Sequence, residues 1–159
     1  MPLSKLREFL DSHNIKYLVI SHSLAYTAQG VAALAHVSGK KLAKTVIVKI
    51  DGILAMAVIA ASEHVDLDQL RKLSGAKTIA IASEREFTDA FPDCETGAMP
   101  PFGNLYDMPV YADLGLSENE EITFSAGTHR ELVRMRWDDM VRLLNPTLGK
   151  LTYPHAAAA

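Results

Sequence analysis

Two runs of strand-forming residues, Lys44 to Ile50 and Ile53 to Ala60, flank the dipeptide Asp51-Gly52. That dipeptide suits a type I′ turn, in which both central residues take positive φ, so the segment predicts an antiparallel hairpin that organises the fold. Alternation along the first run puts Lys44 on one face with Val46, Val48 and Ile50. An ammonium at the rim of an apolar face loses hydration, and it is kept where an anion, carbonyl oxygens or ordered water receive its protons. Two roles fit such a lysine: a hook for a ligand, or a stem that lies along the sheet with its head in water. Lys49 has the opposite parity, shared with Thr45 and Ile47, and is expected to be simply solvated.

The rest of the composition is that of an ordinary globular protein. With 159 residues, 48% of them hydrophobic and 22% charged, the chain is long enough for one well-buried core. A single domain over residues 1–155 is expected, with Ala156 to Ala159 as a tail or cloning remnant. Ile53 to Ala61 is the most apolar run, and Glu63, His64 and Asp66 stop it well short of a membrane span. The N-terminus carries charge where a signal peptide needs apolar residues, so a cytoplasmic location is the expectation. Cys94 is the only cysteine, which excludes an intramolecular disulfide and a thiolate zinc site built within the chain. A net charge of −3 speaks against a protein that grips long nucleic acid by phosphate neutralisation, yet Lys40, Lys41, Lys44 and Lys49 concentrate positive charge locally.

Along the chain, Leu3, Leu6, Phe9 and Leu10 predict a first amphipathic helix near residues 4–13, followed by a strand from Tyr17 to Ser21. Thr27 fits as the cap of a second helix carrying Val31, Leu34 and Ala35. After the hairpin, Asp66 and Gly75 bracket a short helix, Thr78 to Ala82 reads as a strand, and the Ser83/Glu86 capping-box spacing opens a helix over 84–91. Residues 94–107 hold Gly97, Pro100, Pro101 and Gly103, and an irregular stretch of that length inside a compact domain is more often functional than accidental. Strands at 109–113, 121–126 and 131–136 follow, then a helix capped by Asp138 and stopped by Pro146. The fold class is α+β tending to mixed α/β: a mostly antiparallel mixed sheet of about six or seven strands flanked by helices.

Most catalytic signatures are missing. There is no Walker loop, no Gly-x-Gly-x-x-Gly fingerprint and no Gly-x-Ser-x-Gly elbow. The six histidines show no metal-ligand spacing, and no cofactor is expected. Three segments remain: Lys40-Lys41-Leu42-Ala43-Lys44-Thr45, Gly97-Ala98-Met99-Pro100-Pro101-Phe102-Gly103, and Ser125-Ala126-Gly127-Thr128-His129. The second is a stiff loop whose glycine amides can approach a carbonyl or oxyanion, although a plain proline-stiffened turn has the same composition. In the third, Gly127 and His129 sit where a hairpin turn is expected.

In order and spacing these segments resemble the YbaK family, found as the editing insertion of bacterial prolyl-tRNA synthetases and as free-standing aminoacyl-tRNA deacylases. The resemblance implies hydrolysis of a small amino acid, such as Ala or Cys, from mischarged proline tRNA, with prolyl-tRNA synthetase as a possible partner. It also implies that Lys44, Gly97 and His129 occupy the family's functional positions. Lys40, Lys41, Thr45, Met99, Pro100, Pro101, Phe102, Gly103 and Gly127 would then form the substrate-binding surround. Lys44 would hold the terminal phosphate or ribose oxygens, amides near Gly97 the ester carbonyl, and His129 the substrate or water. Pro100-Pro101-Phe102-Gly103 departs from the Ser-Pro-Leu-Gly of the cysteinyl-specific branch and is closer to the synthetase insertions and alanine-specific deacylases. A non-catalytic module for the tRNA acceptor end or a synthetase, and a hydrolase of other small acyl esters, are the alternative readings.

Overall fold

A computed structural model describes residues 2–21 and 38–153. The helix expected after Thr27 and the terminal alanines lie outside the described residues. The elements are α1 (Pro2–Ser12), β1 (Tyr17–Ser21), β2 (Leu42–Ile50), β3 (Ile53–Ala60), α2 (Leu67–Ser74), β4 (Ile79–Ile81), α3 (Glu84–Phe87), β5 (Val110–Asp113), β6 (Glu121–Ser125), β7 (Glu131–Arg136), α4 (Trp137–Leu144) and β8 (Thr147–Gly149). All eight strands join one mixed sheet in the order β1-β7-β6-β2-β3-β5-β8, with β4 attached to β2. The eighth is β8, three residues after Pro146 whose pairing with β5 is set by the distant row Tyr111 to Asp113. Nothing in its own short sequence signals a strand.

The central hairpin forms as its turn chemistry dictates: φ is +49° at Asp51 and +83° at Gly52, and β2 pairs with β3 from Ala43↔Ala60 to Ile50↔Ile53. Asp51 does more than turn the chain. Its carboxylate accepts hydrogen bonds from the backbone N–H groups of Lys77 and Thr78 at 3.0 and 2.9 Å, which fastens the entry to β4. Helix α2 begins where Asp66 accepts from the Asp68 and Gln69 amides and ends at Gly75, left-handed at φ +72°. The Ser83/Glu86 capping box is present, but α3 stops at Phe87 and continues as a 3₁₀ turn over Thr88–Ala90. Helix α4 starts one residue before the expected cap, leaving Asp138 and Asp139 in its first turn, where carboxylates favour the positive end of the helix dipole.

The sheet is covered on both faces. Leu6 and Leu10 of α1, Met140 of α4 and the aromatics Phe87, Phe91, Phe102 and Phe124 build the larger core with Ala43, Ile47, Met56 and Val58. The smaller core sets Val48, Ala55, Ala57 and Ile59 against Leu70 of α2 and Leu151. Removing a side chain of this size from water contributes about 1.5–3 kcal/mol each, so these two clusters fix which face every residue of β2 occupies. Lys49 is not merely solvated, as its parity suggested. It pairs with Glu86 of α3, a contact across 37 residues of sequence that binds α3 to the hairpin. Among the described residues no helix is long and apolar enough to cross a membrane.

Candidate active site

The sheet forks at Lys44. On one edge β2 pairs with β3 throughout; on the other it pairs in parallel with β6 only at Leu42↔Thr123 and Ala43↔Phe124, and with β4 only from Val48. The Ile47 carbonyl accepts from the Ala82 amide. Between these contacts, residues 44–46 are paired on the β3 edge alone among the described residues. One step past Ala43↔Phe124, β6 reaches Ser125 and leaves β2 for the turn Ala126 to Arg130. Lys44 therefore stands level with the end of β6, just before the turn that carries His129.

Lys44 lies opposite Ile59, on the face of the smaller core, and is half-buried. Burial pushes its ammonium pKa below the ordinary lysine value, and the negative charge of Glu63 works in the opposite direction. Glu63 follows the end of β3, where the Ala61 and Ser62 amides donate to the carbonyls of Leu42 and Gly39. Beside it opens a hollow of about 240 Å³ lined by Lys40, Glu63, Asp113, Glu118 and others. Lys40 and Lys41 are exposed, and Thr45 points to the larger core's side opposite Val58.

Gly97 and His129 are brought together directly. Gly97 has φ +87°, and a Cβ built on it would stand 3.5 Å from Cε1 of His129. Segments 95–98 and 127–129 are laced by four hydrogen bonds. The Glu95 amide donates to Gly127 O and the Gly127 amide to Ala98 O, both at 2.8 Å. The His129 amide donates to the Glu95 carboxylate at 2.6 Å, and ring Nε2 of His129 meets the Thr96 carbonyl at 2.8 Å. His129 is buried, with 7% of its surface exposed. Glu63, Glu95 and Thr96 escaped the sequence reading. Their partners are tens of residues away, and no local motif marks them.

Beyond Ala98 the proline-rich loop turns into core. Met99, Pro100, Pro101, Phe102 and Gly103 are all buried. Phe102 is 0% exposed and packs its ring against Phe9 and Phe124. A Cβ on Gly103 would lie 2.3 Å from the Met108 carbonyl oxygen and 2.6 Å from Val110 Cγ2. Packing therefore gives Phe102 and Gly103 a structural role of their own, separate from their expected place in the substrate surround. Met99 turns its sulfur to the Gly97 amide at 3.2 Å. Cys94 is hydrogen-bonded to the Tyr106 hydroxyl at 3.2 Å, and burial raises its thiol pKa, the opposite of what activates a nucleophile.

A loop amide with a weak acceptor, a half-buried cation and a buried imidazole are groups of the kind that suit addition of water to an already reactive carbonyl. The fold itself has a solved counterpart. A solved structure described as a candidate trans-editing enzyme for prolyl tRNA synthetase superposes with a TM-score of 0.81 over 96% of this chain and 98% of that one, at 18% identity. The class is the aminoacyl-tRNA editing domain, and editing in that sense is hydrolysis of the aminoacyl ester. Residues 22–143 match the family described as "Aminoacyl-tRNA editing domain", and the chain belongs to that family. The multifunctional Ser/Thr-tRNA deacylase ProXp-y of Escherichia coli K12 is 28% identical over 149 residues, which cover 91% of this chain and 89% of that protein. A proline-tRNA ligase of Shouchella clausii is 32% identical over 85 residues, 52% of this chain but only 14% of the ligase.

Proposed function

We propose that this chain is a free-standing deacylase that clears a small, wrongly attached amino acid from tRNA in the cytoplasm, acting beside prolyl-tRNA synthetase. Proline tRNA is the first candidate acceptor. Alanine and cysteine are the amino acids the sequence pattern suggests, and the Escherichia coli relative adds serine and threonine. The observation that carries the reading is Lys44: a cation kept partly out of water at a fork in the sheet is costly to fold, and an anionic ligand would offset that cost.

In this reading Lys44 binds phosphate or ribose oxygens of the terminal adenosine. The Gly97 amide receives the ester carbonyl. It is the amide suited to that exchange, because its present acceptor is a thioether sulfur, a weak one, whereas the Ala98 amide is held by the Glu95 carbonyl. Water, assisted by the vicinal ribose hydroxyl, adds to the carbonyl carbon; the acyl–oxygen bond breaks, and the products are the free amino acid and the tRNA 3′ terminus. His129 orients the amino acid or the water. An acyl-enzyme is not required, since an aminoacyl ester is already activated. Pocket volume does the sorting, at about 1–3 kcal/mol per methylene.

The test is a deacylation panel: proline tRNA charged in turn with Ala, Cys, Ser, Thr and Pro. Hydrolysis of at least one small amino acid with Pro-tRNA spared is expected, and survival of every ester overturns the proposal.

A further inference from the structure

We propose that Glu95 is a positioning residue for His129, and that the 95–98 segment fixes the tautomer of its imidazole. This deepens the deacylase reading above and rests on it. Of the four hydrogen bonds that lace the two segments, Glu95 makes two, one at each end of the turn. Its amide holds the Gly127 carbonyl and its carboxylate holds the His129 amide. The carboxylate bond is charge-assisted and short, and it is the only one of the four that grips the backbone of the residue bearing the ring. The fourth bond sets the tautomer. A carbonyl oxygen only accepts, so at the Thr96 carbonyl Nε2 is the protonated nitrogen, and in the neutral ring Nδ1 is then the acceptor.

The alternative role for Glu95 is purely structural. The turn has other ties: the Thr128 hydroxyl donates to the Glu131 carboxylate at 3.2 Å, and the Ala126 amide donates to Glu131 O at 3.0 Å. Loss of the Glu95 carboxylate should therefore leave the hairpin formed while loosening the ring it places. A displacement of the order of 1 Å costs up to about a hundredfold in rate, so a positioning role shows in kcat rather than in folding.

The experiment compares Glu95→Ala, Glu95→Gln and wild type by thermal melting, by deacylation kinetics, and by long-range ¹H–¹⁵N correlation of the His129 ring. Glu95→Ala should melt close to wild type, lose about tenfold to a hundredfold in kcat with KM within about twofold, and show mixed ring tautomers. Glu95→Gln keeps an oxygen acceptor and should recover most of the rate and the single Nε2–H tautomer. The proposal is overturned by wild-type kcat in Glu95→Ala, by a Gln variant no better than Ala, or by an Nδ1–H ring in wild type. Should Glu95→Ala fail to fold, Glu95→Gln against Glu95→Asp, with its shorter arm, carries the same comparison. If wild type hydrolyses no ester of the panel, the deacylase reading falls, and the tautomer measurement still decides the positioning claim.

Discussion

Gly103→Ala separates a ligand-contact role from a packing role. The added methyl would sit 2.3 Å from the Met108 carbonyl oxygen and 2.6 Å from Val110 Cγ2, well inside contact distance. Rotamer adjustment can relieve the valine contact but not the carbonyl. The Met108 amide itself donates to Gly103 O at 2.9 Å, so the clashing group belongs to the same tight turn. Overpacking against backbone places the cost near the top of the usual range, about 3 kcal/mol. For a chain of this size each kcal/mol lowers Tm by about 2–4 °C, so thermal denaturation followed by circular dichroism should show a fall of about 6–12 °C. Deacylation per folded molecule, measured well below the transition, should change by less than about twofold, because the methyl faces core and not substrate. An unchanged Tm with abolished turnover would refute this and return Gly103 to the substrate surround.

Two further outcomes follow from charge. Glu86 is an exposed carboxylate whose pKa is lowered to about 2, first by its hydrogen bond with Lys49 and then by the Ser83 amide and hydroxyl. A depressed carboxylate stabilises above its unfolded value and stops doing so as pH falls through its folded value, so acid melts of wild type should lose Tm between about pH 4.5 and 2 more steeply than those of Glu86→Gln; superimposable acid limbs would contradict the pairing. For Lys44 the sign is reversed: its lowered pKa means the proton favours the unfolded chain, a penalty present at neutral pH and relieved as pH rises through the folded pKa toward 10.5. Lys44→Met should therefore melt no lower than wild type at pH 7, and a clearly lower Tm would contradict the claim that Lys44 is kept for function rather than stability.

How much of this was legible in the sequence depended on the range of each interaction. Turn chemistry at Asp51-Gly52, the caps at Asp66 and Gly75, and the parity that set Lys44 apart from Lys49 are local, and the structure reproduces them. The tie from Lys49 to Glu86, the clasp of Glu95 on His129, and the strand Thr147–Gly149 each depend on a partner more than 30 residues away, which periodicity does not encode. The Gly97–Gly103 loop shows both limits. Its composition announced a stiff, close-approach backbone, yet only Gly97 has positive φ beside a candidate site residue, while Phe102 and Gly103 turn inward to the core. Composition alone does not distinguish a glycine needed for a ligand from one needed by a neighbouring carbonyl. The fork at Lys44 was equally hidden, because it arises from β4 and β6 ending on the same edge of β2.

The central claim is that Lys44 anchors the 3′ end of an aminoacyl-tRNA for hydrolysis. Its most direct test is single-turnover deacylation of the panel's best substrate by wild type and Lys44→Ala, with circular dichroism confirming that both are folded. The account predicts a folded variant whose rate falls at least about a hundredfold, since a desolvated charge on the substrate's oxygens is lost together with the orientation it gives. A folded Lys44→Ala that deacylates at the wild-type rate would contradict it.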